Sequence, residues 1–162
     1  MERGIPDSMR FTPWLIGLCC AGLLTGAMGD GLGCDNQHLV LVSARQSPIQ
    51  PLTQTEARRL FLGFPVNQHG RRIQPLINLS EPLLYEVFLQ KVVFMSAPSY
   101  ERRVLARTFQ HGDARPLEFT AQEPLNAALK SQLSAITFMW EENIRSKPDF
   151  KVVYEPCENP VE

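Results

Sequence analysis

The chain has 162 residues, of which 44% are hydrophobic and 20% charged, and its formal net charge is -1. This length allows one folded domain rather than two, and the composition is ordinary for a soluble protein. The near-zero charge argues against a nucleic-acid-binding protein, which would usually carry a basic excess.

The first thirty residues differ in composition from the rest of the chain. Arg3 and Arg10 precede an uncharged apolar run at 11–24, and small residues follow at 25–29. This order is typical of a secretory signal peptide. Because the apolar run is shorter than the roughly 20 residues that span a bilayer, we expect a signal peptide at 1–29, cleaved after Gly29, and no retained transmembrane segment.

A lipid anchor on Cys34 is the alternative fate of this N-terminus. Residues 31–34 partly match the motif that presents a cysteine for lipidation, but Gly31 stands where that motif has a leucine-like residue. The apolar run also ends well before Cys34. We therefore favour a cleaved signal peptide and a protein that is periplasmic or secreted, with lipidation as the less favoured alternative.

Two cysteines, Cys34 and Cys157, remain after signal removal, one near each end of the mature chain. An oxidising compartment permits a disulfide between them, and we favour this bridge over two free thiols. No metal site is expected, because His38, His69 and His111 are far apart in sequence and lack partners at ligand spacing. No other cofactor is expected either.

The mature chain alternates short apolar runs with amphipathic segments, which predicts a mixed α/β domain at 38–154 between an N-terminal segment at 30–37 and a polar tail at 155–162. Strands are predicted at 39–43, 72–77, 135–139 and 150–154. Helices are predicted to begin after the capping residues Thr53, Ser80, Ser96 and Thr120. Phe94 and Phe109 are expected in the core.

The order of several short motifs resembles the small relatives of the phosphate-binding component of ABC importers, in the periplasmic binding protein-like family. These motifs are Val42-Ser43, Ser47-Pro48, Leu60-Phe-Leu-Gly63, His69-Gly70, Ile73-Gln-Pro-Leu76, Phe88, Phe109-Gln-His-Gly112 and Ala135-Ile-Thr-Phe138. The resemblance covers about residues 38–154. It implies an α/β fold of the type II binding-protein class, truncated to a single lobe, with a mixed β-sheet flanked by helices.

The resemblance also implies an anion site. The family grips its ligand with a serine turn after the first strand and with a Ser-Gly-Thr at the start of a later helix, where free amides suit an oxyanion. Ser43 and Ser47, with Arg45 beside them, correspond to the first element, and Ser80 corresponds to the second. We therefore expect Ser43, Arg45, Ser47 and Ser80 to bind the ligand, with the three serines converging on one pocket.

Two departures from the family pattern follow Ser80. Glu81 places a negative charge where an anion should bind, and Pro82 removes one amide donor. Structural roles also compete with binding, because Ser80 is a good helix cap and Ser43 and Ser47 are typical turn residues.

Two functions stay open at this point. The first is an exported solute-binding-like module for phosphate or another small oxyanion. The second is a periplasmic interaction or sensory accessory module that kept the fold and lost the ligand. In either case a membrane transporter or sensor protein would be the partner, and nucleic acid would not.

Catalysis is not expected. The sequence contains no Gly-x-Ser-x-Gly, His-Glu-x-x-His or phosphate-binding Gly-rich motif. Glu141 and Glu142 are adjacent, so they point in different directions on a strand or a helix and do not form an acid/base pair. Cys34 and Cys157 lack the spacing of a thiol redox motif.

Overall fold

The computed structural model describes residues 38–112 and 114–156. The predicted signal peptide at 1–29, and both Cys34 and Cys157, lie outside the described residues. Among the residues that are described, no helix has the length and apolar character needed to cross a bilayer.

Five strands form one mixed sheet: β1 (Leu39–Ala44), β4 (Gln74–Asn78), β5 (Leu117–Phe119), β6 (Ala135–Trp140) and β7 (Phe150–Tyr154). Their spatial order is β5-β4-β6-β1-β7. β4 pairs in parallel with β5 and β6, whereas β1 is antiparallel to both β6 and β7. Four strands therefore run in one direction and β1 runs against them. A separate hairpin contains β2 (Asn67–Gln68) and β3 (Arg71–Arg72).

The two central strands, β1 and β6, are buried at every position. All of their residues except Ser43 and Thr137 are apolar, because both faces of the sheet are covered, and such strands do not alternate polar with apolar. Leu39 and Leu41 pack into the core on one face, and Val40 and Val42 pack into the core on the other. This arrangement confirms the predicted mixed sheet flanked by helices.

The part of the chain that the structure describes also contains five α-helices: α1 (Gln54–Phe61), α2 (Pro82–Phe88), α3 (Ala97–His111), α4 (Gln122–Ser131) and α5 (Glu141–Arg145). A π-helical turn, Leu89–Val93, continues α2. α1, α2 and α3 contribute buried side chains to the core on one face of the sheet, whereas Leu125 and Leu129 of α4 pack on the other face.

An aromatic cluster joins α1, α2 and α3 to the sheet. The ring of Phe88 stacks on Phe138 with 3.9 Å between centroids, and it meets Phe61 edge to face at 4.8 Å. Tyr100 contacts the same Phe88 ring and donates a 3.0 Å hydrogen bond to the carbonyl of Phe61. Buried aromatic pairs of this kind add to the free energy of area burial.

The cap predicted at Thr53 for α1 is confirmed, and it forms a capping box with Glu56. Thr53 Oγ1 accepts from the amide of Glu56, and the Glu56 carboxylate accepts from the amide of Thr53. The cap predicted for α2 is wrong by one residue, because Glu81 occupies the N-cap position without a side-chain cap bond. Ser80 instead donates its hydroxyl proton to Asn78 Oδ1 at 2.6 Å, an acceptor that the end of β4 places beside it.

Two aromatic residues expected in the core are exposed. Phe109 is 80% exposed in the last turn of α3, and Phe94 is 49% exposed. α3 buries only Tyr100 and Val104. In its last turns Arg107 contacts Gly63 and Phe64, whereas the side of the helix that carries Phe109 is exposed. Phe94 has a left-handed backbone, with φ of 57°, and its ring lies 5.6 Å from the guanidinium of Arg58.

Candidate functional site

The candidate site lies at the carboxyl edge, which we define as the sheet edge where β4, β5, β6 and β7 end. In open α/β sheets, ligands bind beyond the carboxyl ends of parallel strands, where neighbouring strands send their connections to opposite faces. β4 and β5 are such a pair, because α2 follows β4 on one face and α4 follows β5 on the other. The starts of α2 and α4 therefore flank a crevice.

Asn78, the last residue of β4, organises this crevice. It is fully buried, and its Nδ2 donates to the carbonyl of Phe138 at 3.1 Å. Its Oδ1 accepts from both the amide and the hydroxyl of Ser80, at 3.0 and 2.6 Å. Ser80 Oγ lies 3.3 Å from Oε1 of Gln122, the first residue of α4. The side chains of Ser80 and Gln122 thus join the starts of the two helices.

Neither helix that begins at this crevice has a side-chain cap. The first turn of a helix has amide N–H groups without intrahelical partners, and its N-terminus carries a partial positive charge. The amides without intrahelical partners are those of Leu83 and Leu84 in α2 and those of Gln122 and Glu123 in α4. The crevice can therefore offer backbone donors from two sides.

One carboxylate occupies the same edge. Oε2 of Glu81 accepts a 2.8 Å hydrogen bond from Nε1 of Trp140, the buried last residue of β6. The indole fixes the position of the carboxylate beside the start of α2. This negative charge opposes a fully ionised anion, but it can accept a hydrogen bond from an anion that retains a proton.

The other predicted ligand-binding residues lie at the opposite edge. Ser47 donates its hydroxyl to the carbonyl of Leu133, which precedes β6, whereas Glu81 contacts Trp140 at the end of β6. The span of β6 separates these contacts by roughly 20 Å. The expected convergence of Ser47 and Ser80 on one pocket is therefore wrong. The physical reason is that β1 runs antiparallel to β6, while β4 runs parallel to it.

The hydroxyl groups of Ser43 and Ser47 form hydrogen bonds within the protein at this opposite edge. Ser43 is fully buried, and its hydroxyl donates to the neighbouring carbonyl of Ala44, at 3.4 Å. The hydroxyl of Ser47 also accepts from the amide of Ile49 at 3.2 Å. Nζ of Lys151 donates to the carbonyls of Ser47 and Ile49, at 2.7 and 2.8 Å. These contacts fix the turn that follows β1.

Arg45 lines a cavity of about 240 Å³ near these serines. Lys130 and Asp149 also line it, and their side chains form an ion pair at 2.5 Å. Arg45 itself is exposed, and its amide donates to the carbonyl of Asp149. The structure thus places Arg45 near Ser43 and Ser47 but far from Ser80.

Three residues of the crevice escaped the sequence analysis: Asn78, Gln122 and Trp140. Each of them lies at the end of a strand or at the start of a helix that follows one. The signal was present for Asn78 and Trp140, because each directly follows an apolar run. Gln122 could not be found in this way, because the three-residue strand β5 was not predicted.

The fold and its polar carboxyl edge define a mixed α/β domain with a crevice between the starts of two helices. Two solved structures share this fold: an ABC-type phosphate transport receptor from Vibrio cholerae, with a TM-score of 0.54, and PstS from Borrelia burgdorferi, with a TM-score of 0.53. These similarities confirm the resemblance inferred from the sequence motifs.

The likeness to these receptors is a likeness of fold. Sequence identity is 10% and 8%, and each alignment covers 72% of this chain. The same alignments cover 45% and 46% of the receptors, so the chain spans somewhat less than half of their length. No family model matches the chain, and no curated protein matches it either.

Proposed function

We propose that this chain is an exported solute-binding-like module that binds phosphate, or another small oxyanion, at the carboxyl edge and works with a membrane transporter. The observation that carries the proposal is the meeting of two uncapped helix starts at Ser80, in a fold shared with phosphate transport receptors. Amides at helix N-termini form a suitable site for an oxyanion. The Ser80 hydroxyl has one proton, so it would donate to the ligand by turning away from Asn78.

Glu81 gives this site a chemical preference. Phosphate retains at least one hydroxyl proton near neutral pH, whereas sulfate is fully ionised. A fixed carboxylate accepts a hydrogen bond from a phosphate hydroxyl but only repels sulfate. The bond from Trp140 to Glu81 keeps the carboxylate in place for this discrimination. The departure from the family pattern at Glu81 is therefore compatible with phosphate.

The contacts of Ser80 favour binding over catalysis. A serine nucleophile is activated when its hydroxyl donates to a general base. Ser80 donates instead to the amide oxygen of Asn78, which is not a base. The buried Asn78 fixes the position of Ser80 and does not activate it.

The test is thermal unfolding of the purified protein with and without millimolar phosphate, with sulfate as control and EDTA present throughout. Ligand at about 100 times its dissociation constant stabilises a native state by roughly 2.7 kcal/mol, which raises the melting temperature by several degrees. We expect a shift with phosphate, none with sulfate, and loss of the shift in Ser80→Ala.

Ser47→Ala is the matched control. It removes the same hydroxyl group from the opposite edge of the sheet, so it should lower the melting temperature without changing the phosphate-induced shift. If wild-type protein shows no shift with either anion, the oxyanion proposal is wrong. If Ser47→Ala abolishes the shift and Ser80→Ala does not, the proposed location is wrong.

An interaction or sensory accessory module is the second candidate. It is favoured by the exposed apolar side chains of α3, where Leu105 and Phe109, four residues apart on one helix face, are 42% and 80% exposed. A protein partner could cover this face. Absence of any anion-induced shift in the wild-type protein is the result that this candidate predicts.

A further inference from the structure

Three further side chains meet at the carboxyl edge, away from Ser80. His38 directly precedes β1, Glu141 directly follows β6 and Glu155 directly follows β7. Because β1 lies between β6 and β7 and runs against both, its start is placed next to their ends. The amide of Glu141 donates to the carbonyl of His38 at 2.7 Å, which fixes two of these backbones together.

The ligand atoms of this triad converge. One side-chain nitrogen of His38 and one carboxylate oxygen from each of Glu141 and Glu155 lie within 4.8 Å of one another. Ligands at about 2.0–2.2 Å from a tetrahedral zinc ion are roughly 3.3 Å apart. All three side chains are partly exposed, so rotamer changes of about 1 Å would bring them onto one ion.

The imidazole supplies an independent observation. Nδ1 of His38 is buried and has no hydrogen-bond partner among the described residues. Buried polar atoms in native proteins nearly always have a partner, and an unpaired one requires an explanation. A metal ion bound to this nitrogen would satisfy it, and neutral imidazole is a common metal ligand.

Charge and ligand type identify the ion. Two carboxylates neutralise a dication, and one carboxylate oxygen of Glu141 already accepts from Arg145 at 2.9 Å, which leaves its second oxygen for a metal. Imidazole with carboxylates suits zinc and other first-row dications better than magnesium or calcium. We propose that His38, Glu141 and Glu155 bind a first-row divalent cation of the zinc type.

Such an ion would join the start of β1 to the ends of β6 and β7, and thereby stabilise the folded state. The proposal does not depend on oxyanion binding, because none of the three ligands contacts Ser80 or Gln122 in the described structure. The proposed site also differs from what the sequence predicts. No metal site was expected there, because the histidines lack other ligands close to them in the sequence.

The test is calorimetric titration of the metal-free protein with Zn²⁺ in phosphate-free buffer, together with thermal unfolding in Zn²⁺ and in Mg²⁺. We expect one Zn²⁺ per chain, a melting temperature raised by several degrees and no effect of Mg²⁺. Glu155→Gln should weaken Zn²⁺ binding at least tenfold, and so should His38→Ala. If His38→Ala fails to fold, Glu155→Gln alone decides, since it preserves side-chain shape.

Matched controls test the other metal-ligating groups of the chain. His111→Ala, at the end of α3, and the double substitution Cys34→Ser with Cys157→Ser should bind Zn²⁺ as wild type does. The Co²⁺-loaded protein should lack the charge-transfer band of a thiolate ligand. No Zn²⁺ binding, binding unchanged in Glu155→Gln, or binding lost in the cysteine variant would each overturn the proposal.

Discussion

The indole of Trp140 donates a 2.8 Å hydrogen bond to the carboxylate of Glu81. This contact joins the end of β6 to the start of α2, and it fixes a negative charge beside a helix N-terminus. It links the stability of the fold to the chemistry of the crevice, so substitutions at either residue report on both.

A double-mutant cycle measures the Trp140–Glu81 hydrogen bond. Trp140→Phe and Glu81→Ala should each destabilise the protein, and their coupling free energy should be about 1.5 kcal/mol, the low end for a bond to a charged group, because Glu81 is partly exposed. The loss of packing caused by the smaller ring of phenylalanine cancels in the cycle, so the coupling free energy reports the hydrogen bond. Strict additivity in urea unfolding would show that the bond contributes nothing.

Glu81→Gln tests the source of anion discrimination. The amide oxygen still accepts from Trp140, but the charge is lost, so sulfate is no longer repelled. We expect sulfate to raise the melting temperature of this variant nearly as much as phosphate does, whereas it should not affect the wild type. Continued rejection of sulfate by Glu81→Gln would assign selectivity to another group.

Two tyrosines, Tyr85 and Tyr100, in the core between the sheet and α1, α2 and α3, predict how stability falls at alkaline pH. Burial raises the pKa of Tyr100 well above its usual value, and the neighbouring Tyr85 and Glu101 add to the rise. Burial likewise raises the pKa of Tyr85 to about 12. Since the unfolded tyrosines ionise near pH 10, their contribution is complete below pH 10 and is lost as the pH rises above it.

Tyr100→Phe should change this profile. At neutral pH it removes the hydrogen bond to the carbonyl of Phe61 and should cost about 1 kcal/mol. Above pH 10 the variant loses less stability than the wild type, because it lacks the phenol whose pKa is raised by burial. Its free energy of unfolding should therefore converge on that of the wild type. Tyr85→Phe, at a partly exposed ring, is the matched control with a smaller neutral-pH cost. Parallel curves for Tyr100→Phe and wild type would contradict this account.

The disulfide between Cys34 and Cys157 stays a prediction, because both cysteines lie outside the described residues. The side chains of His38 and Glu155 converge within 4.8 Å, and in the sequence Cys34 lies shortly before His38 and Cys157 shortly after Glu155. Reduction should lower the stability of the oxidised protein by about 2–4 kcal/mol. The double serine variant should not respond to reductant. An unchanged melting temperature on reduction of the wild type would refute the bridge.

Local signals in the sequence predicted most elements of the fold. The nearly continuous apolar runs of β1 and β6, and the Thr53–Glu56 capping box, depend on residues close together in the chain. The cap of α2 could not be predicted correctly, because the N-cap position falls on Glu81 and the Ser80 hydroxyl donates to Asn78, and only the fold shows both facts. The prediction that Phe109 is buried was wrong for a similar reason. Hydrophobic periodicity does not show whether a second element packs on that face of α3.

The candidate site was predictable only in part. Ser80 was identified from its motif, but its distance from Ser47 depends on the direction of β1, which no local pattern encodes. The zinc ligands His38, Glu141 and Glu155 come from three strand ends that are distant in sequence. A search by spacing cannot find them, whereas the strand order brings them together.

The central position of β1 also affects how the protein folds. β1 is the first strand of the domain, yet its two partners, β6 and β7, are the last two. β1 therefore cannot pair with either partner until almost the whole domain has been synthesised. Strand pairing across such long sequence separations slows folding. A chain whose sheet depends on its last strands stays unfolded for longer during synthesis. The unfolded state is the one in which a polypeptide can pass through a narrow translocation channel.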